Sequence, residues 1–236
     1  MLITENPELT RLMLTHLSDL YHIKQKRVGI HLSTLVYCLT KSQMDVSGGI
    51  EPTDNEVMLF ALGLGLQDVL TPGGTATPVY TKDGIIYSPD FVFELGGWLV
   101  ELKTTRQSAK RGAAHEFPET WIEYIKGGSY IVGKEFYDLS VLYLMGNYSP
   151  PFPLMKSFRL EFTPEELEEN WNHILDRKAV YEKHIESRDI ILPKKYAKSW
   201  ECSYCRFKLV CDTILTEKRD TYPTETVEHI FGERLD

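Results

Sequence analysis

Long apolar runs are missing from this sequence, and so is any excess of positive charge. No stretch approaches the roughly 18 apolar residues of a membrane span. The first residues, MLITENPELTRLML, lack the basic-then-apolar pattern of a signal peptide. We therefore expect a cytoplasmic protein with no membrane partner. The 26 lysines and arginines are outnumbered by 34 acidic residues. This disfavours polyanion binding by the whole surface, but it permits a local basic groove.

Cysteine is also scarce, with four in 236 residues. Cys202, Cys205 and Cys211 share the segment CSYCRFKLVC, and the fourth is Cys38. Disulfides are rare in cytoplasmic proteins, whereas four thiolates can hold a zinc ion or an iron–sulfur cluster. A zinc ribbon usually has two CxxC pairs, which this spacing fits less well. The alternative is four unrelated thiols, with Cys38 as a small core residue on an apolar helix.

The order of predicted elements indicates an α/β fold with a mixed central sheet. Helices are expected over 7–21, 31–43, 53–71, 118–132 and from 163 to about 187. Strands are expected over 77–82, 85–95, 98–105, 139–145 and 157–162. With 42% hydrophobic residues, the chain can bury one sizeable core. We expect a single domain over 1–236, made of a helical region (1–50), a core (51–190) and a cysteine-rich tail (191–236).

Charged residues interrupt an apolar hairpin, PDFVFELGGWLVELK, which ends at Lys103. Glu101 and Lys103 are two positions apart, so they share one face of a strand. Pairing the strands around Gly96-Gly97, with residue numbers that sum to about 193, places Asp90 beside them. Carboxylates suit Mg²⁺ or Mn²⁺, and a lysine can orient or help to deprotonate water for phosphodiester hydrolysis. The alternative is a salt-bridged hairpin without a catalytic role.

Together these motifs resemble the iron–sulfur subgroup of RecB-type nucleases in the PD-(D/E)XK superfamily. That subgroup includes the CRISPR-adaptation exonucleases and the nuclease domain of the AddB helicase–nuclease. HLSTLVYC is similar to the family's first cysteine segment, SPDFVF and WLVELKTT to its D and ExK segments, and CSYCRFKLVC to its terminal segment. The resemblance covers most of the chain. It implies a restriction-endonuclease-like mixed sheet flanked by helices, with a 4Fe–4S cluster that joins the helical region to the tail.

The resemblance also implies roles for individual residues. Asp90, Glu101 and the Leu102 carbonyl would bind Mg²⁺ or Mn²⁺, and Lys103 would position the attacking water. The cluster ligands would be Cys38, Cys202, Cys205 and Cys211. The implied activity is that of a metal-dependent DNA exonuclease that prefers single strands. It would serve CRISPR adaptation, recombination and repair, or phage DNA metabolism. Its partners would be DNA, other proteins of those processes, and further copies of the chain.

Two accessory motifs depart from the family pattern. Gln67, in GLGLQDVL, stands where the family has a metal-binding histidine, and its carbonyl is a weaker, neutral ligand. The family's Q-x-x-x-Y motif has no full counterpart in WIEYIKGGSYIVG, where Tyr124 or Lys126 falls near the Gln position and Tyr130 near the Tyr. Two other functions therefore stay open. One is a degenerate member that binds DNA or a partner without cutting, and the other is a zinc-stabilised interaction domain.

A basic polar loop, KTTRQSAKRG, follows the ExK segment. Arg106, Lys110 and Arg111 could bind backbone phosphates there. Trp121, Tyr124 and Tyr130 could stack on bases. The alternatives are a solvated charged loop and aromatic side chains of the core.

Overall fold

The computed structural model describes residues 6–24, 28–47, 50–71, 77–93, 97–112, 117–150, 152–190 and 199–219. Within these ranges, two sheets are flanked by helices, which agrees with the predicted α/β class. The described part contains no helix long and apolar enough to cross a membrane.

Helices and short strands are mixed along the chain. Those before residue 106 are α1 (Pro7–Lys24), β1 (Ile30–His31), α2 (Leu32–Val36), α3 (Leu39–Ser47), α4 (Asp54–Leu70), β2 (Tyr80–Lys82), β3 (Ile85–Tyr87), β4 (Phe91–Phe93) and β5 (Trp98–Thr105). Those after it are α5 (Ala109–Gly112), α6 (Glu119–Val132), β6 (Phe136–Tyr143), β7 (Leu154–Glu161), α7 (Pro164–Ser187), α8 (Ser199–Ser203) and α9 (Lys208–Arg219).

The larger sheet is mixed and has the order β4-β5-β6-β7. β4 and β5 are antiparallel, β5 and β6 are parallel, and β6 and β7 are antiparallel. Parallel neighbours need a long crossover, and α6 lies in the connection between β5 and β6. The smaller sheet has the order β1-β3-β2. We predicted one central sheet, whereas the described residues form two. The larger of the two is mixed, as expected.

The strand predicted over 85–95 is divided between the two sheets. β3 pairs with β1 and β2, whereas β4 pairs with β5. Ser88 and Pro89 separate them, and proline lacks the N–H group that the interior of a sheet requires. The predicted strand is therefore two strands, β3 and β4, and Asp90 lies directly before β4.

The pairing of β4 with β5 also differs from the expected register. Phe91 lies opposite Val100, so paired residue numbers sum to 191. A shift of two residues keeps the same faces together, because side chains alternate with a period of two. Asp90 therefore continues the register towards Glu101. Gly96 of the predicted turn lies outside the described residues.

The helix predicted over 31–43 is interrupted at Tyr37 and Cys38, between α2 and α3. The buried Arg177 side chain of α7 lies at this break. Its guanidinium donates one hydrogen bond to the Leu35 carbonyl and another, at 2.7 Å, to the Tyr37 carbonyl. Carbonyls at a helix end need such external donors. The contact links two segments about 140 positions apart, so local sequence does not report it.

Helices α2, α6 and α7 pack together over the sheets and build the core. Leu32, Ile125 and Ile174 are nearly fully buried there. A Cβ atom at Gly127 of α6 would lie 2.9 Å from side-chain atoms of both Leu32 and Ile174. The missing side chain therefore allows α6 to fit between α2 and α7.

Candidate active site

Three charged side chains meet where β4 begins and β5 passes beside it. Glu101 is 3% exposed and accepts a hydrogen bond from Lys103 Nζ. The Leu102 N–H donates to Asp90 Oδ2 at 2.6 Å, which ties the Asp90 carboxylate to the middle of β5. The structure thus brings Asp90, Glu101 and Lys103 together, and we call these three residues the charged triad.

Burial and mutual repulsion control the protonation of the triad. Burial raises the pKa of Glu101 to about 7, with Lys103 opposing the shift and Asp90 adding to it. Burial also raises the pKa of Asp90 against the attraction of Lys103. Burial alone would lower the pKa of Lys103, but Glu101, followed by Tyr37 and Asp90, outweighs it and raises the pKa. Lys103 is therefore a stable cation. Its single positive charge does not balance the two negative charges of ionised Asp90 and Glu101.

One oxygen of the triad has no hydrogen-bond partner. Glu101 Oε2 is buried and unpaired. Leaving such an atom unsatisfied costs about 1–3 kcal/mol, and buried charges are normally paired or bound to a metal. The donor set fits a divalent cation, with Asp90 and Glu101 as carboxylate ligands. The Leu102 carbonyl fits as a third, because the N–H and C=O of one strand residue point to the same side.

Gln67 reaches the triad from α4. Its Nε2 donates to Asp90 Oδ1 at 3.1 Å. A metal ligand must instead present an oxygen, so Gln67 could serve only after its amide turns by about 180°. No group of three or more His, Cys, Asp or Glu side chains in the described ranges could hold a metal ion. The available set is two carboxylates, amide and backbone oxygens, and water, which suits Mg²⁺ better than Zn²⁺.

A cavity of about 290 Å³ opens beside the triad. Its first wall is one face of α4, formed at helical spacing by Gly63, Leu66, Gln67 and Leu70. The remaining lining comes from β4, β5, α6, β6 and β7 through Asp90, Leu102, Lys103, Thr104, Trp121, Leu142 and Met155. Asp90 and Lys103 of the triad are therefore accessible to a ligand from the cavity.

Tyr37 was not among the predicted site residues. Its side chain lies within electrostatic reach of the triad: burial raises its pKa, and Lys103 and then Glu101 act on it next. In the sequence it is marked only by its position directly before Cys38. Trp121, one of the three aromatic residues considered for base stacking, lines the cavity from the first turn of α6.

The predicted base-stacking tyrosines lie in different surroundings. The Tyr124 ring centroid is 5.3 Å from Lys103 Nζ, so this ring borders the triad. Tyr130 stacks on Trp171 with a centroid distance of 5.0 Å, and Lys82 Nζ lies 4.0 Å from its ring. It does not line the cavity. Tyr130 therefore packs against α7, away from the cleft.

The predicted phosphate-binding residues follow β5. Arg106 and Lys110 are exposed. The Lys110 backbone N–H donates a hydrogen bond of 3.2 Å to Ser108 Oγ at the start of α5. Arg111 belongs to α5, but its side chain lies outside the described residues. Lys110 and Arg106 are therefore available to solvent beyond the carboxyl end of β5.

The four cysteines converge although 164 positions separate Cys38 from Cys202. Burial raises the pKa of Cys211 to about 12, and Cys205, Cys38 and Cys202 add to the shift. Burial raises the pKa of Cys202 as well, with Cys38 and Cys205 contributing next. At neutral pH the Cys202 and Cys211 thiols are therefore protonated. The described cysteines do not form a group of three or more side chains that could hold a metal ion, so the predicted cluster stays a prediction.

Contacts around the cysteines hold the tail to the N-terminal helices. Glu201 Oε1 accepts a hydrogen bond from the Cys38 N–H at 3.2 Å. The Arg206 side chain is 8% exposed and donates to Glu56 Oε1 at 3.2 Å. It also forms an ion pair with Asp45 of α3. Glu56 in turn closes the capping box with Thr53 that starts α4, as the sequence predicts.

Comparisons with known proteins give a fold but no family. No family model matches the sequence, and no curated protein matches it. The chain is similar in fold to the protein SSO0001, with a TM-score of 0.53 and 15% identity over 86% of this chain and 96% of that one. Weaker likenesses include an alkaline exonuclease from Laribacter hongkongensis (TM-score 0.47, 14% identity, 68% of this chain and 91% of that one). Another is a phage-related exonuclease from Haemophilus somnus 129PT (TM-score 0.43, 10% identity, 68% and 96%). The first shows a shared fold, and the other two carry no argument about activity.

Proposed function

We propose that this chain is a divalent-metal-dependent deoxyribonuclease that hydrolyses phosphodiester bonds from DNA ends and prefers single strands. One observation carries the proposal. A buried Glu101 oxygen without a partner belongs to a triad whose other two members, the half-buried Asp90 and Lys103, line an open cavity. A salt-bridged hairpin would need no such oxygen, because a carboxylate paired with one lysine can expose its other oxygen to water.

The metal ligands would be Asp90, Glu101 and the Leu102 carbonyl, with Gln67 as an additional oxygen ligand once its amide turns. A bound Mg²⁺ or Mn²⁺ ion supplies Lewis acidity for the phosphate and lowers the pKa of an attacking water. The three ligands come from the start of β4 and from consecutive positions of β5. Their spacing is therefore set by the strand pairing, a rigid support for a site.

Lys103 would position the attacking water and the phosphate. Its ammonium is held by Glu101 and lies near the Tyr124 ring. Because its pKa is raised, it stays protonated at neutral pH and acts as a hydrogen-bond donor. A donor at this place can orient water and offset charge on the phosphate oxygens. Arg106 and Lys110, and Arg111 on sequence grounds, would bind phosphates further along the strand.

Cys38, Cys202, Cys205 and Cys211 would hold a 4Fe–4S cluster with a structural role. The raised pKa of Cys211, to which the other three cysteines contribute, supports a common ligand. One CxxC pair with two single cysteines fits a zinc ribbon less well than two CxxC pairs would, which favours an iron–sulfur cluster over a single zinc ion. The cluster would join α2 and α3 to the tail in one nuclease domain.

The motif resemblance extends this proposal to a biological setting. It suggests roles in CRISPR adaptation, recombination and repair, or phage DNA metabolism, with proteins of those processes or further copies of the chain as partners. No described contact identifies such a partner, so the enzymatic activity is the part to test first.

The test is degradation of end-labelled single-stranded and duplex DNA by anaerobically purified protein. The reactions would contain Mg²⁺, Mn²⁺ or EDTA. We expect metal-dependent cutting that Asp90→Ala and Lys103→Ala reduce at least about 100-fold, the loss typical of a removed catalytic group. Asp138→Asn is the control, because Asp138 pairs with Arg159 outside the cavity. Equal cutting by wild type and Asp90→Ala would refute the assignment.

A second function is favoured by the hydrogen bond from Gln67 to Asp90. An amide N–H₂ group at this carboxylate competes with a metal for the same oxygen. In that case the protein would bind DNA without cutting it. Folded wild-type protein that retains DNA in a binding assay but releases no label in Mg²⁺ or Mn²⁺ would support this function over hydrolysis.

A further inference from the structure

The cavity beside the triad is lined by both polar and apolar side chains. The polar ones include Asp90 and Lys103. The apolar ones are Leu66, Leu70, Trp121, Leu142 and Met155. A metal ion and a phosphate would use the polar groups. The apolar side chains are then available to contact another part of the ligand, since ligand sites combine apolar surface with a few polar groups.

Trp121 presents a supported aromatic ring to this cavity. It stands in the first turn of α6 and is half-buried. Its ring stacks on Phe117 with a centroid distance of 6.3 Å and an interplanar angle of 24°. Phe117 in turn packs edge-on against Phe158 at 5.0 Å. The Trp121 ring is thus held from behind while it lines the cavity, which makes it a rigid stacking surface.

Gly63 leaves one position of the α4 wall without a side chain. A glycine inside a helix is less favourable than alanine by about 1 kcal/mol. A Cβ atom at Gly63 would meet nothing within 4 Å, so close packing does not require this glycine. Gly63 shares its helix face with Leu66 and Gln67, and it lines the cavity. Any side chain here would occupy the cavity.

We propose that the cavity receives one unstacked nucleotide at a DNA end, with Trp121 stacking on its base and Gly63 leaving room for it. This inference rests on the proposed nuclease function. A volume of about 290 Å³ is at the lower limit for small-ligand sites, which suits one nucleotide and not a base pair. Stacking tolerates every base. The site therefore requires a base but does not select which base, and it favours ends whose last base is unpaired.

The test compares oligonucleotides that differ only at their ends. One carries normal terminal nucleotides, and the other carries a baseless tetrahydrofuran residue at both ends. We expect wild-type protein to cut the normal ends faster by about 5- to 150-fold, the range for loss of one stacked base. In Trp121→Ala this ratio should fall to about 1, because the stacking surface is gone. Binding of the same oligonucleotides in Ca²⁺ repeats the comparison without cleavage.

A pair of glycine variants distinguishes an effect of filling the cavity from an effect on the stability of α4. Gly63 lines the cavity and Gly65 does not, yet a Cβ atom meets nothing within 4 Å at either position. Leucine at both sites improves helix propensity. We expect Gly63→Leu to lower the cutting of normal ends at least about tenfold. Gly65→Leu should cut like the wild type, and neither variant should melt earlier.

The outcomes distinguish the two proposals. If wild type cuts or binds normal and baseless ends equally well, or if Trp121→Ala keeps the wild-type ratio, the nucleotide site is refuted while the nuclease function stands. If Asp90→Ala cuts as fast as wild type, the nuclease function fails. The Ca²⁺ binding ratio then still decides whether Trp121 holds a base.

Discussion

Gln67 Nε2 donates a hydrogen bond of 3.1 Å to Asp90 Oδ1, and the other oxygen of that carboxylate accepts from the Leu102 N–H at 2.6 Å. Both Asp90 oxygens are thus in use before any metal binds. The Leu102 contact helps to hold the carboxylate in the strand geometry, whereas the Gln67 contact occupies an oxygen that a metal would need. The glutamine is therefore the side chain that should limit metal affinity.

Replacing Gln67 by histidine should strengthen metal binding. A neutral imidazole offers a lone pair in place of an amide N–H₂ group. We expect Gln67→His to raise Mn²⁺ affinity by about tenfold, a typical effect of a change next to the ligands. Calorimetric titration of the metal would measure it. Asp68→His, on the exposed side of α4, is the matched control and should bind Mn²⁺ as wild type does. No gain in Gln67→His would show that the residue at this position stays out of the metal shell.

Divalent metal should stabilise the fold through Glu101. A ligand at about 100 times its Kd stabilises the native state by about 2.7 kcal/mol, which corresponds to about 5–10 °C in Tm for a chain of this size. We expect this rise for wild type and for Asp138→Asn. Glu101→Gln should lose it, because the unpaired oxygen would no longer be a carboxylate. Scanning calorimetry with Mg²⁺ and with EDTA measures the shift. An equal rise in Glu101→Gln would place the metal elsewhere.

Local signals in the sequence were sufficient for much of the fold. The strand predicted over 98–105 has these bounds in the structure, and α4 (Asp54–Leu70) lies within the predicted range 53–71. Alternation in β5 and the capping pattern around Glu56 are properties of neighbouring residues. The triad followed from the same local logic, because two of its members are on one strand and the third lies across a short hairpin.

Features that depend on distant contacts could not be derived in this way. The break at Tyr37 reflects the Arg177 side chain of α7. The division of 85–95 depends on which sheet each half joins. The cavity needs α4, α6 and β7 in place before Trp121 and Met155 can line it. A sequence shows that these residues are apolar, but it does not show which of them face a common space.

Removing Arg206 should loosen the cysteine tail. The Arg206 side chain is nearly buried between Asp45 and Glu56. Breaking a buried ion pair costs about 3–5 kcal/mol, and the partial exposure of Asp45 reduces this to about 1–3 kcal/mol for Arg206→Met. Urea unfolding would measure the loss. Lys208→Met removes an exposed pair with Asp212 in the same tail and should have little effect. Similar losses in both variants would contradict a special role for Arg206.

Replacing Cys205 by serine should remove the proposed cluster. A hydroxyl is a much poorer ligand for iron than a thiolate. We expect anaerobically purified wild type to be brown and to contain iron, and Cys205→Ser to lose both the colour and most of the iron. Metal analysis and absorption spectra would measure this. Ser203→Ala, in the same turn, is the control. Colourless wild-type protein with one zinc ion per chain would favour the zinc site instead.

Adding a side chain at Gly128 should destabilise the protein, although Gly128 lies within a regular helix. A Cβ atom there would come within 2.5 Å of the Tyr87 ring, which is 1% exposed. The Tyr87 hydroxyl is hydrogen-bonded to that of the fully buried Tyr137, so the ring has no room to move aside. Overpacking of this kind costs about 1–3 kcal/mol.

We therefore expect Gly128→Ala to lower the free energy of unfolding by that amount in a urea titration. Gly65→Ala, on the exposed side of α4, should raise it by up to about 1 kcal/mol, since alanine is the better helix former. Opposite signs for the same substitution would show that packing on Tyr87 outweighs helix propensity at Gly128. A stabilised Gly128→Ala protein would mean that the ring shifts.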